Sequence, residues 1–267
     1  MSTITDWETF VLASRNFFDG NRGSPLFRLI QALDDLYRVV HANGSFPNTD
    51  IEREDFIRKC FVICHRAMLA AATNTASGLP EDGPGITRRA LEAAKVCLAI
   101  KAHPDNFDEW KAFEQRSVRW SARASGGGRR VPAVSPRYRN VSSDPFYREI
   151  QGLIGVLSDA AVHFTPEYFG GYIWEQTSNR HGTVDISLSV VEDAVPYRCF
   201  QLIGQYLFIV RVFDHCLDGK LFANPEITRS ARKVIEGLKE LLVMEGLTEQ
   251  VRLVERGWKF LPTSTDA

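Results

Sequence analysis

A concentration of one chemistry lies between Gln115 and Ser143. Arg116, Arg119, Arg123, Arg129, Arg130, Arg137 and Arg139 occur there without a single Asp, Glu or Lys. Arginine's planar fork makes paired hydrogen bonds to phosphate or carboxylate, so the strip reads as an anion-binding surface. Trp120 and Tyr138 add flat rings on which bases could stack, as at single-stranded nucleic-acid sites. The same residues also fit a solvated helix face running into a polar loop. They could equally neutralise acids elsewhere, such as Asp34, Asp35, Glu52, Glu54 and Asp55.

A second grouping is Arg58 and His65. Seven residues apart on a helix is close to two turns, which places them on one face, with Glu54 one turn before Arg58 to orient it. Such a pair could cleave RNA without metal, the guanidinium stabilising charge on phosphorus and the imidazole moving a proton. An ion-paired arginine and a hydrogen-bonded core histidine would give the same spacing. A third grouping is the polar cluster of Asp159 and His163, one turn apart, with Glu167 beyond, and Asp214 and His215 with Arg211 one turn earlier. Facing helices carrying these could bind a metal, but the Glu-x-x-His repeats of di-iron bundles are missing. The favoured reading is a buried polar clasp, because buried polar groups must be paired whether or not they react. No metal and no cofactor are expected.

The elements that must position these residues are mainly helical. Apolar residues recur at three and four residue steps over 5–18 and from Pro25 to Asn43, where Ser24 supplies the N-cap. A helix from Asp50 to about Thr73 carries Ile51, Arg58, Val62, His65 and Leu69 as its stripe. Gly78, Pro80, Gly83, Pro84 and Gly85 predict a loop over 73–87, and Thr87 caps a helix to about Ala102. An aromatic-rich helix holds Phe107, Trp110, Phe113, Ser117 and Trp120. Residues 124–143 read as a flexible Arg, Gly and Pro loop. Asp144-Pro145 opens a helix with Phe146, Ile150, Leu153, Leu157 and Phe164 inward, ended by Pro166. Strict alternation from Thr183 to Val190 is the period of a half-buried strand. Tyr172–Glu175 could pair with it, giving one small β-hairpin near 172–190. Residues 193–217 predict a buried central helix, and helices near 226–245 and 248–256 follow, separated by Gly246. No internal repeat or strong linker appears. The fold class expected is all-α, a single domain over 1–267 formed by a bundle of about eight helices with that hairpin appended.

Two stretches resemble an uncharacterised family of bacterial all-helical proteins. One is Arg88-Arg89-Ala90-Leu91-Glu92-Ala93-Ala94-Lys95 with Trp110, Arg116, Arg119 and Trp120. The other runs from Leu157 to Glu167. The resemblance covers roughly 55–170 and implies a fold class without an activity. Arg58 and His65, with six residues between them, are also loosely similar to the motif of HEPN-type helical ribonucleases. Lys59 stands where that family usually has a polar uncharged or acidic residue.

With 267 residues, 44% apolar and 24% charged, the chain can bury a core and is not disordered in bulk. A net charge of −1 gives no global field toward nucleic acid or anionic membrane, so any such affinity must be local. The first residues lack the basic and apolar regions of a signal peptide, and Arg and Asp interrupt the most apolar stretch, Cys199–Leu217. Five cysteines without a CxxC pair fit a reducing cytoplasm. There is no phosphate loop, GxGxxG, GxSxG or HExxH. Three readings remain open. The first is a phosphate, nucleotide or nucleic-acid binding module using the arginine strip. The others are a metal-independent ribonuclease using Arg58 and His65, and an interaction scaffold that could pair as a homodimer, without a catalytic site.

Overall fold

A computed structural model describes residues 7–44, 51–78, 82–124, 136, 138–161, 174–177, 184–187 and 195–261. The fold is all-α. Among the described residues there are nine α-helices. These are α1 (Trp7–Asn21), α2 (Pro25–Asn43), α3 (Ile51–Ala76), α4 (Asp82–Ala102), α5 (Asp105–Ala124), α6 (Pro145–Ala161), α7 (Val195–Cys216), α8 (Pro225–Met244) and α9 (Thr248–Gly257). No described helix is long and apolar enough to cross a membrane.

The centre is α7. Leu202, Ile203, Tyr206, Leu207, Ile209, Val210, Val212 and Phe213 are buried on nearly every side of it, and α2, α3, α4 and α8 surround it. Its broad apolar surface leaves only a narrow polar strip, with Arg198, Gln201, Gln205 and Arg211, so most of the helix must sit inside. By contrast α8 is amphipathic, burying Ile227, Ala231, Val234, Ile235, Leu238 and Leu242 at helical spacing against its neighbours. Its start is set by Asn224, whose side chain accepts hydrogen bonds from Glu226 N and Ile227 N. It lies along α2, and a methyl group at Gly237 would stand only 2.9 Å from Leu29 Cδ1, so the absent side chain permits the approach. Ser24 caps α2 as its position before Pro25 predicts.

The loop expected over 73–87 is shorter than its glycines and prolines suggest. Helix α3 continues to Ala76, and α4 begins at Asp82 with Gly83, Pro84 and Gly85 in its first turns. Proline is tolerated there because the first helical N–H groups have no partner inside the helix anyway. Gly83 serves packing, since a Cβ on it would meet Thr75 Oγ1 at 3.2 Å. Thr87 is therefore no cap but a buried residue inside α4.

The face of α3 also differs. Its buried residues include Ile57, Cys60, Phe61, Cys64, Met68, Ala71, Ala72 and Ala76, with Glu54 and Thr75 also enclosed, while Arg58, Val62 and Leu69 are exposed. Apolar residues occur on several sides of α3, so periodicity alone cannot select the inward one.

Part of the loop expected over 124–143 is tied down. Asn106 donates to Ala99 O at 2.6 Å and Arg139 O at 2.9 Å, and accepts from Arg139 N at 2.8 Å. A 3-10 turn at Val141–Ser143 follows. Of the hairpin expected near 172–190, the described residues are 174–177 and 184–187. Trp174–Thr177 and Val184–Ser187 run antiparallel, Trp174 opposite Ser187, but neither has extensive contact with a described helix. Two such short strands are marginal by themselves, and the rest of 172–190 lies outside the described residues.

All five cysteines are buried and free. Burial pushes the thiols of Cys64, Cys97 and Cys216 well up, and that of Cys199 up to about 12.

Candidate functional site

Two features of the described residues could do chemistry: a groove between α3, α4 and α5, and a chain of hydrogen-bonded side chains between α2 and α3. The groove has a volume of about 710 Å³. Phe56 from α3 and Phe107 and Trp110 from α5 form its aromatic wall, with ring centroids of Phe56 4.3 Å from Trp110 and 5.5 Å from Phe107. Ala93 and Val96 of α4 add apolar surface. Glu52, Asp55, Glu92 and Glu114 line it together with Lys59 and Lys111. Lys59 is held by Asp55 at 2.6 Å. Lys111 is shared by Glu52 at 3.3 Å and Asp108 at 3.1 Å, and its ammonium lies 4.6 Å from the centroid of Phe107. Hydrogen bonding to these carboxylates holds both lysines above their ordinary range.

The hydrogen-bonded chain runs Asp34–His65–His41. His65 Nε2 is 2.7 Å from Asp34 Oδ1, and His65 Nδ1 is 3.1 Å from His41 Nε2. Side chains of His65 and Asp34 are only 13% and 15% exposed, whereas His41 reaches the surface. The other oxygen of Asp34 takes Arg38 Nε at 2.8 Å. Tyr37 fixes the ring of His65 by stacking on it at 5.1 Å, and is itself anchored by donating to Tyr206 O at 2.9 Å. Burial, then the neighbouring His65, lowers the pKa of His41. The tautomers follow from donors and acceptors. A carboxylate only accepts, so His65 Nε2 donates to it. Neutral His65 then accepts from His41 through Nδ1.

His215 and Asp214 do not join this group. His215 Nε2 meets Asp144 Oδ2 at 2.9 Å, while Asp144 Oδ1 caps α6 by accepting from Tyr147 N at 3.1 Å. The backbone carbonyl of His215 accepts from Lys101 Nζ, which also pairs with Asp218 at 3.0 Å. Asp214 Oδ1 accepts from Leu221 N at 3.0 Å and Phe222 N at 3.1 Å and so shapes the turn after α7. Burial raises its pKa against these hydrogen bonds. Arg211 packs its guanidinium between the rings of Phe146 and Phe260, at 5.1 and 5.0 Å. His215 and Asp214 are each engaged in their own clasp, tying α4, α6, α7 and the following turn together.

Of the Arg58 and His65 pair, His65 joins the Asp34–His41 chain, and Arg58 lies exposed on α3 rather than on the inward face. Arg116, Arg119, Trp120 and Arg123 stand on the second half of α5, where only the backbone is described. Arg129, Arg130 and Arg137 fall outside the described residues, as does His163, and Asp159 is described only as part of α6. Arg139 is exposed and pairs with Asp105 at 3.4 Å, not with the acids of α2 or α3. Among the described residues no group of three or more His, Cys, Asp or Glu is arranged to hold a metal.

Sequence reasoning missed Asp34 and His41 as partners of His65. The available signal was their spacing of seven on α2, which puts both on one face. It missed the groove as well, because Phe107 and Trp110 read as core. Compared with known proteins, the chain matches no family model, no curated protein and no solved structure.

Proposed function

We propose that this chain is a binding protein that takes phosphate groups of a nucleotide or nucleic acid on the arginine ridge of α5. The observation that carries the reading is the placement of Arg116, Arg119 and Arg123 on the second half of one helix. At about 100° per residue the three positions fall within about 60° of one another. Glu114 is the last acid before them, and none follows until Asp144. The separate pairing of His65, Asp214 and His215 supports a binding role over RNA cleavage by Arg58 and His65, because catalytic groups would need to converge on an open pocket.

The test is equilibrium binding of the purified chain to a fluorescent single-stranded RNA across a salt series. If three phosphates are neutralised, log affinity falls against log salt with a slope of about −2. Replacing Arg116, Arg119 and Arg123 together by Ala should flatten that slope to near zero, with circular dichroism checking that the helices persist. A salt-independent affinity, or a triple variant that binds as the parent does, removes the reading.

A further inference from the structure

We infer that the groove between α3, α4 and α5 is a binding site for an organic ammonium, a small molecule carrying a positively charged nitrogen on an aromatic or aliphatic body. Three observations converge on it. The volume of about 710 Å³ lies in the range of small-molecule sites. Its wall of Phe56, Phe107 and Trp110 presents aromatic surfaces at ring separations of 4.3 and 5.5 Å, and ring faces attract cations electrostatically. Its lining has four carboxylates, on Glu52, Asp55, Glu92 and Glu114, against two ammoniums, on Lys59 and Lys111. Arg88 offsets Glu92 at 3.0 Å from outside the lining, and the one net negative charge that remains repels an anion and favours a cation.

The groove already holds a cation of its own in this way. Lys111 Nζ lies 4.6 Å from the centroid of Phe107 with Glu52 at 3.3 Å, which is the pairing of ring face and carboxylate that a bound ammonium would repeat. A ligand would set its apolar body against Phe56 and Trp110 and its nitrogen toward Glu114, an exposed carboxylate on the helix that bears Trp110. A metal ion is a poor alternative, because the aromatic wall offers it no ligands. This site is independent of the arginine ridge, and each can fail without the other.

Isothermal titration of the full chain with three phenyl probes tests it at neutral pH. Protonated 2-phenylethylamine should bind at one site. Neutral 2-phenylethanol should bind about tenfold more weakly, and 3-phenylpropanoate should give no heat of binding. Glu114→Gln, a surface change, should weaken the amine about threefold and leave the alcohol unaltered. Trp110→Leu should weaken both, with a thermal melt confirming that the variant is folded. Absence of binding by the amine overturns the proposal. So does an alcohol that binds as tightly as the amine, or a Glu114→Gln chain that keeps its affinity for the amine. Light scattering that finds a dimer, with amine binding lost as the dimer forms, would assign the groove to a second copy instead.

Discussion

His65 uses both ring nitrogens inside the protein, so its neighbours depend on its protonation as well as its position. Asp34→Asn would keep the shape and remove the charge that faces Nε2. With both side chains mostly shielded from water, the loss should be about 1–2 kcal/mol, read as a lower urea midpoint at an unchanged slope. His41 makes a separate prediction about pH. Its pKa is lowered in the folded chain by burial and then by His65, so the unfolded chain takes up the proton first as pH falls. The folded state therefore has its full stability above the unfolded histidine value of about 6.5 and loses some on acidification below it. Melting temperature should drop between pH 7.5 and 6, and His41→Gln should make that drop smaller. An equal drop in the variant would show that another group controls it.

Among the elements, α3 marks the limit of what periodicity can decide. Helix α2 was legible from its Ser24 cap and apolar stripe, and α7 and α8 from their apolar periodicity. Helix α3 exposes Val62 and Leu69 while burying Cys60, Cys64 and three small alanines, residues that give little hydrophobic contrast. Reading its stripe through Val62 turned Arg58 inward together with His65; the buried stripe runs through Phe61 instead, which leaves Arg58 exposed and His65 at the stripe's edge. Adjacent substitutions test this. Phe61 is 0% exposed and stacks on Tyr37 at 4.9 Å, so Phe61→Ala should cost about 3–5 kcal/mol. Val62 is 40% exposed, so Val62→Ala should stay within about 0.5 kcal/mol. Equal costs from the two would restore the other face.

At the scale of the molecule, the class of the fold and its central helix could be read from the sequence because apolar periodicity is a property of each segment. The groove and the Asp34–His65–His41 chain could not, because they depend on which helices become neighbours. His41 and His65 are 24 residues apart and belong to different helices. Likewise Asp144 and His215 meet across 71 residues, although Asp144 was already legible as a cap.

The five enclosed thiols turn this architecture into its own gauge. Each sits on a helix of the bundle, on α3, α4 or α7, so no small local fluctuation reaches them all. Buried away from solvent, they should resist iodoacetamide in the native chain, since an alkylating agent must reach the sulfur it attacks. Modification should then proceed only as fast as the bundle opens. Mass spectrometry along a urea series should find chains carrying none or five adducts, with few between. A ladder of partly labelled chains in mild urea would mean that α3, α4 and α7 part company one at a time.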